Sequence, residues 1–598
     1  MAYLSKSDFK VAQSCITKLY YKKMRYPTPA TDDGYLELLA EGGYMVGKLA
    51  QLLYPDGVEV KTEKGTPFAI NETKEYLKSE NITLFEAAIE SNGKLIRIDV
   101  LVKKGNVFQL IEVKSKSWDS GKPPKPHEIK EYLEDVAFQT MVLREAYPDA
   151  SVIPYLFLPD KAKRTTLDGL NGMFSIKRME TQSSTFKSYD VTFNGDPQLL
   201  LTDDIMTLVD VSKEVDKLMP AILQNSKIYL ESLAPELHKI ESQIAVGCKF
   251  CEYTDPTKNG FHECWGDLAT ADKHVLQMSH VGNFNRKGEI DSLILERKVS
   301  ISDVPVELVL DKYNNRAYYQ RTKSAEWVSK EFRSAVNGIR YPIHFIDFET
   351  SRMAIPYHKG MRPYENIAFQ WSCHTLKEKG GELSHSEWIN VSDGFPNFEF
   401  AKSLMDTIKL EGSFMMWATH ENTVLRDIYY QMEEYGYSNQ KLWNWLSSII
   451  KFDKGDSGRF IDMNRMTLDH YFHPSMKGRT SIKVTLPAVL KQTKSEKIAS
   501  WLKSFSPGID LLHYDENGGI QNPYDFLPTL EFVEDAEKVK DGTGAMRAYQ
   551  EMLYGLNKGN ADIKDEWMSA LLRYCKLDTL AMAIIWEHWN DIIDGKSF

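Results

Sequence analysis

Apolar and polar positions alternate most clearly in two neighbouring runs. Residues 95–102 (LIRIDVLV) and 107–114 (VFQLIEVK) are rich in Val, Ile and Leu and are separated by Lys-Lys-Gly-Asn, a turn signal. Together they predict a β-hairpin. A third apolar run, 341–350 (YPIHFIDFET), predicts another strand, and 414–421 (FMMWATHE) predicts a strand that ends ahead of a glutamate. Apolar residues at three- and four-residue spacing predict helices over 131–147, over roughly 205–245, and over 567–589. Clusters of Pro, Gly and polar residues at 119–127, 253–263 and 453–458 read as loops. Strands alternating with helices predict an α/β chain. The expected division is a first domain over 1–285, a connector over 286–338, and a second domain over 339–598.

Composition narrows the class. The chain has 598 residues, 42% apolar and 26% charged, which excludes a disordered chain, a collagen or a coiled-coil rod and leaves room for two to four domains. No apolar run approaches a membrane span, and charges appear too early for a secretory signal. Six cysteines are too few for a secreted disulfide scaffold, so a reducing cytoplasm is the expected compartment. Lys and Arg number 73 against 84 Asp and Glu, a net charge of −11. Binding to nucleic acid through bulk charge is thereby excluded; local basic patches would have to supply it. There is no G-x-x-x-x-G-K-[ST] phosphate loop.

Side chains alternate along a strand, so Glu112 and Lys114 share a face, with Asp99 on the partner strand. Two close carboxylates repel unless a cation sits between them, and hard oxygen ligands suit Mg²⁺ or Mn²⁺. Around them, residues 97–130 carry eight Lys and Arg, Lys116 included, against four Asp and Glu, a balance that suits a phosphate backbone. A second group is Cys248-x₂-Cys251 with Cys264 after a gap of twelve residues and Cys15 far upstream. Thiolates in this spacing suit Zn²⁺ or an iron–sulfur centre, and His262 is a substitute ligand. Cys373 and Cys575 read as plain buried thiols. A third group is Asp347 and Glu349, two apart on one strand, with Glu421 after the next strand and Tyr574-x₃-Asp578 on the last helix. Residues four apart share a helix face, so Tyr574 and Asp578 converge. Asp427 is the fallback for the Glu421 slot, Asp462 is an accessory carboxylate, and Lys477, Arg479 and Lys483 are candidate phosphate contacts.

The Asp99…Glu112-x-Lys114 pattern resembles the PD-(D/E)XK nuclease superfamily, with Ile98 where proline is usual. Gln139 resembles the helix glutamine of the RecB-like branch, although Leu143 stands where its following tyrosine is expected. Four cysteines flanking such a core resemble the iron–sulfur RecB-like nucleases, including the CRISPR-adaptation and AddB-type nuclease domains. The resemblance implies a [4Fe–4S] staple on Cys15, Cys248, Cys251 and Cys264, ahead of Zn²⁺. The D-x-E strand and the Y-x₃-D helix resemble DnaQ-like (DEDD) exonucleases on an RNase H-like sheet; Glu421 stands where that family has Asp, and Arg573 excludes its histidine form. That resemblance implies that Asp347, Glu349, Glu421 and Asp578 hold two divalent ions while Tyr574 orients the attacking water. With residues 354–376 and 481–490, the chain resembles a bacterial family that joins a RecB-like nuclease to a DnaQ-like domain. The expectation is a metal-dependent nuclease with two sites, exonucleolytic on single-stranded DNA or DNA ends, in DNA processing, repair or phage defence. Two alternatives stay open: the same chemistry on RNA, and a nucleic-acid-binding protein with one or both sites inactive. Protein partners are not legible.

Overall fold

The computed structural model describes residues 3–29, 34–61, 64–179, 188–453, 455–456, 458–528, 542–554 and 560–596. The loop expected at 453–458 therefore lies partly outside the described residues. The chain is mixed α/β and forms two compact units. The first comprises residues 1–244, 250–269 and 352–365; the second comprises 245–249, 270–351 and 366–598. The stretch 286–338, expected as a connector, is part of the second unit. Among the described residues no helix is long and apolar enough to cross a membrane.

The first unit is built on a seven-stranded sheet. Its strands are β1 (Leu4–Ser5), β2 (Val58–Glu59), β3 (Asn81–Ser91), β4 (Lys94–Lys104), β5 (Val107–Val113), β6 (Ser151–Pro159) and β7 (Met206–Asp210). They run in the order β2-β3-β4-β5-β6-β7, with β1 beside β4. β3, β4 and β5 pair antiparallel, and β5 pairs parallel with β6. Helix α1 (Lys6–Ser14) starts at a capping box in which Ser5 and Asp8 satisfy each other's backbone N–H groups. Helix α2 (Ile16–Lys23) follows directly. Helix α3 (Lys130–Ala146) covers the sheet and packs Leu133, Val136 and Phe138 into the core with Ile98, Leu101 and Leu110.

The helix expected over 205–245 is corrected in two places. Residues 206–210 form the edge strand β7, paired antiparallel with β6, and the helix that follows, α4, spans Ser212–Glu231. Pairing with β6 satisfies backbone groups that a short helical turn would leave open, so tertiary context overrides local periodicity.

The second unit centres on a five-stranded sheet: β8 (Ile343–Ser351), β9 (Ile367–Leu376), β10 (Leu383–Ile389), β11 (Ser413–Met416) and β12 (Phe460–Asp462). The order is β10-β9-β8-β11-β12. The first three strands are antiparallel, and β8, β11 and β12 are parallel. Helix α5 (Asn397–Thr407) and helix α6 (His420–Glu434) pack on this sheet around Ile346, Phe348, Phe400, Leu425 and Phe414. Helix α7 (Ile482–Leu490) and the long helix α8 (Ala561–Ile593) complete the surroundings of β8.

Candidate metal centres

The first centre arises where two strands part. The β4–β5 ladder runs from Lys104↔Val107 to Val100↔Ile111 and then stops, so Asp99 and Glu112 face each other across the opening. Asp99 Oδ2 accepts a hydrogen bond from Val113 N at 2.7 Å, which ties the two strands at their divergence. β1 takes up the vacant edge of β4 at Lys94 and Leu95, which sets the first residue of α1, Lys6, beside the gap.

Glu112 is 1% exposed and has three side-chain partners. Its Oε1 receives both Lys6 Nζ and Lys114 Nζ, each at 2.8 Å, and its Oε2 accepts from Gln139 Nε2. Lys114 Nζ also reaches Asp135 Oδ2 at 3.0 Å. Burial works against ionisation of Glu112, but Lys6 and Lys114 outweigh it and hold the carboxyl at about 2. Asp99 behaves oppositely: loss of water contact and the Glu112 charge, opposed by Lys6, push it up to about 7. Burial opposes the charge on Lys114, yet Glu112 and Asp135 keep its pKa above the usual lysine range. The structure thus brings Asp99, Glu112, Lys114 and Gln139 together. Gln139 is fully buried, and among the described residues its Oε1 has no hydrogen-bond partner.

Two participants escaped the sequence. Lys6 lies 106 residues from the glutamate it binds, with no local signal. Glu86 occupies the β3 position across from Asp99, between the pairs Phe85↔Val100 and Ala87↔Ile98, and its backbone takes a left-handed φ of 55°. Burial, and the charge of Glu112 among others, raise its carboxyl. A lone glutamate inside the apolar run of β3 was the legible sign. Lys116 is exposed, with its ammonium 5.8 Å from the Tyr132 ring centroid.

The second centre is built on β8. Asp347 and Glu349 project from alternate positions, and Glu421 stands in the first turn of α6, three residues beyond Ala418 with its φ of 71°. Tyr574, Cys575 and Asp578 come from successive turns of α8. Glu349, Glu421 and Asp578 are buried, and among the described residues Glu421 Oε2 has no hydrogen-bond partner. Burial raises Asp347 well above the carboxylate range, with the Asp578 charge adding to it and the Cys575 thiol, Lys483 and a hydrogen bond with Glu421 opposing. Glu349 is raised by burial and by Asp347 and Asp578, and Glu421 by burial and by Asp347. Asp347, Glu349, Glu421 and Asp578 thus lie near one another, with Asp347 partly exposed and the other three buried.

Several neighbours were not anticipated. Cys575, expected as a plain thiol, has its Sγ 3.5 Å from Asp347 Oδ2, and ligand atoms of Asp347, Glu349 and Cys575 lie within 4.8 Å of one another. The Tyr524 phenol donates to Asp578 Oδ1. Lys483 Nζ donates to Tyr574 Oη at 3.0 Å, and its field lowers both Asp347 and Glu349. Asp462, at the end of β12, accepts from Ala418 N at 2.9 Å and thereby braces the turn that carries Glu421. Asp427 lies farther along α6, six residues past Glu421. Lys477 and Arg479 are exposed.

Among the cysteines, Cys15 links α1 to α2 and its Sγ donates to Ser242 Oγ at 3.3 Å. Cys264 Sγ lies 3.2 Å from Tyr21 Oη on α2. Thr17 of the same helix bonds Ile240 O and Ser242 N, and Lys18 bonds Phe250 O and Glu252, so the segment carrying Cys251 is also tied to α2. Cys15, Cys251 and Cys264 are all partly exposed, and their sulfurs do not form a group within 4.8 Å of one another. A single tetrahedral zinc, with Zn–S bonds of ~2.3 Å, needs sulfurs ~3.8 Å apart. Cys248 falls in the stretch Ala245–Lys249 of the second unit. His262 is exposed on the short helix Gly260–Trp265.

Comparison with known proteins adds a family without an assigned activity. Residues 344–481 match the family described as a domain of unknown function, DUF2779. The match includes Asp347, Glu349 and Glu421 and stops short of Lys483 and α8. No curated protein and no solved structure matches the chain.

Proposed function

We propose that the protein is a divalent-metal-dependent nuclease with two sites, acting on single-stranded DNA or DNA ends. The observation that carries this reading is the second centre: Asp347, Glu349, Glu421 and Asp578 close to one another beside the middle strand of a 3-2-1-4-5 sheet. Three antiparallel strands followed by two parallel ones support an RNase H-like reading of this unit. The first centre supports a PD-(D/E)XK reading by the same logic, with carboxylates at diverging strands and a lysine two residues after the glutamate.

The residues fit the ions. The carboxylate oxygens suit Mg²⁺ or Mn²⁺ even with the Cys575 thiol beside them, and Glu421 Oε2, without a hydrogen-bond partner among the described residues, together with the raised carboxyls marks a place short of positive charge. Asp347, Glu349, Glu421 and Asp578 would hold such ions at the second site, and Asp99 and Glu112 at the first. Bound there, a divalent ion polarises the phosphoryl oxygen and makes water a stronger nucleophile at neutral pH. The chain's own groups do the orienting. Tyr574 presents a phenol beside Asp578 and Glu349, placed to position the attacking water. Lys114 presents an ammonium beside Glu112, placed to stabilise charge that develops on the phosphate. Lys116, Lys477 and Arg479 are exposed and free of burial cost for backbone contacts. Cys15, Cys251 and Cys264 would tie the start of the chain to the 250–264 segment, in keeping with the iron–sulfur resemblance and with zinc as the alternative.

The test is digestion of end-labelled single-stranded DNA and a matched RNA strand with Mg²⁺ or Mn²⁺. Wild type, Glu112→Gln, Asp347→Asn and the double variant are compared. Metal-dependent cleavage of DNA that the double variant abolishes is expected. Cleavage that survives the double variant removes both site assignments, and preference for the RNA strand moves the substrate class.

A further inference from the structure

Lys483 stands where a phosphate contact was expected, yet its ammonium is directed at protein. Nζ donates to Tyr574 Oη at 3.0 Å and lies 4.6 Å from the Tyr574 ring centroid and 4.8 Å from that of Tyr524. The Tyr524 phenol in turn donates to Asp578 Oδ1. The two rings are 6.4 Å apart. The ammonium thus sits against two tyrosines, one of which is the candidate water-orienting group while the other holds a candidate metal ligand.

We propose that Lys483 is a positioning residue of the second site that acts through Tyr574; this rests on the nuclease reading above. An ammonium has only donors, so Tyr574 Oη must accept from it. That bond is charge-assisted, hence stronger than a neutral one, and it fixes the ring's rotation. With one lone pair occupied, the phenol's own O–H turns away from Lys483. Asp578 stands one turn farther along α8 on the same face as Tyr574, so the O–H is left to point toward the carboxylates, where an attacking water would be held. Lys483 is well anchored for this task. It is the second residue of α7, a helix whose Leu486, Val489 and Leu490 are buried. A residue that only gripped phosphate would gain nothing from a phenol at 3.0 Å.

The experiment uses the full chain with Glu112→Gln, so that cleavage reports the second site. Lys483→Met, Lys483→Arg, Tyr574→Phe and the Lys483→Met/Tyr574→Phe pair are compared for kcat and KM with Mn²⁺. Affinity for a fluorescent single strand is measured in Ca²⁺, and thermal midpoints are recorded. Lys483→Met is expected to lower kcat on the order of 100-fold, the scale of a positioned proton-handling group, with KM, DNA affinity and midpoint close to the parent. Tyr574→Phe loses the same amount, the pair loses no more than either alone, and Lys483→Arg recovers part of the loss. Losses that multiply in the pair, or an intact kcat with raised KM and weakened DNA affinity, overturn the proposal in favour of a direct phosphate contact. Equal drops in midpoint for the Met and Arg variants overturn it in favour of a structural role. Asp347→Asn in the same background separates the two readings. If cleavage persists there, the nuclease reading of this site fails and takes Lys483 with it. If Asp347→Asn abolishes cleavage that Lys483→Met leaves at parental kcat, only the Lys483 assignment falls.

Discussion

At the scale of single residues, the first centre holds two carboxyls pushed in opposite directions, and this has measurable consequences. Asp99 is raised to about 7, whereas an unfolded aspartate titrates near ~3.9. The folded metal-free protein therefore binds this proton more tightly than the unfolded chain does. Stability drawn from Asp99 is full below about pH 4 and falls as pH rises to about 7. Asp99→Asn keeps an acceptor for Val113 N and removes the charge. Melted in chelator, it should gain on the order of 2 kcal/mol over wild type at pH 8 and nothing at pH 4. Excess Mn²⁺ should reverse the order, because only the carboxylate binds it well. Glu112 is held at about 2, so its contribution is full above about pH 4.3 and is lost as pH falls through 2. Glu112→Gln should therefore be destabilised at pH 7 and match wild type near pH 2. A gain for Asp99→Asn that does not depend on pH would show that burial, not charge, sets its behaviour.

At the scale of elements, the strands that carry the carboxylates were legible because their apolar runs were bounded by turn residues. The predicted hairpin forms as β4 and β5, and the run at 341–350 forms as β8. What the sequence could not show is the parting of β4 from β5 at Asp99 and Glu112, because that depends on β1 taking the vacant edge. The strand β7 was missed because a five-residue edge strand gives a weak period, and pairing with β6 decides its state. Glu421 was found by its place after a strand, but its aim depends on the turn braced by Asp462. The register of β11 against β8 is equally consequential. Gly412, just ahead of β11, has φ of 73°, and a Cβ there would collide with the carbonyl oxygen of Pro342. Backbone cannot yield as a flexible side chain does, so Gly412→Ala must shift β11 from β8 and move the turn bearing Glu421. A loss of about 3 kcal/mol in denaturant unfolding is expected, with divalent-metal affinity at the second centre lowered as well. A variant with wild-type stability would show that β11 is not held at this point.

At the scale of the whole molecule, pairing distant residues is where sequence reading ran out. Lys6 joins Glu112 and Tyr524 joins Asp578 across 106 and 54 residues, distances at which local patterning carries no information. The division of the chain shows the same limit. The segment Arg352–Glu365 lies between β8 and β9 in sequence, yet it belongs to the first compact unit. There Ala354 and Ile355 enter the core with Val100, Ile111 and Phe157. Backbone bonds join Thr165 N to Met361 O, Asn171 N to Pro356 O and Gly360 N to Thr165 O. Asn171 Nδ2 adds a bond to Ile355 O at 3.1 Å. A fragment ending at residue 285, the boundary that composition suggested, would leave those apolar positions open and Asn171, which is buried, without acceptors. Burying two such side chains and closing these bonds is worth on the order of 3–5 kcal/mol, a large part of a typical domain's stability. The fragment 1–285 is therefore expected to be poorly soluble or to bind a hydrophobic dye. Supplying 350–367 as a peptide in trans, or fusing it through a flexible linker, should restore a cooperative unfolding transition. A fragment 1–285 that unfolds cooperatively with the same midpoint as the fused form would show that the first unit closes its core without this segment.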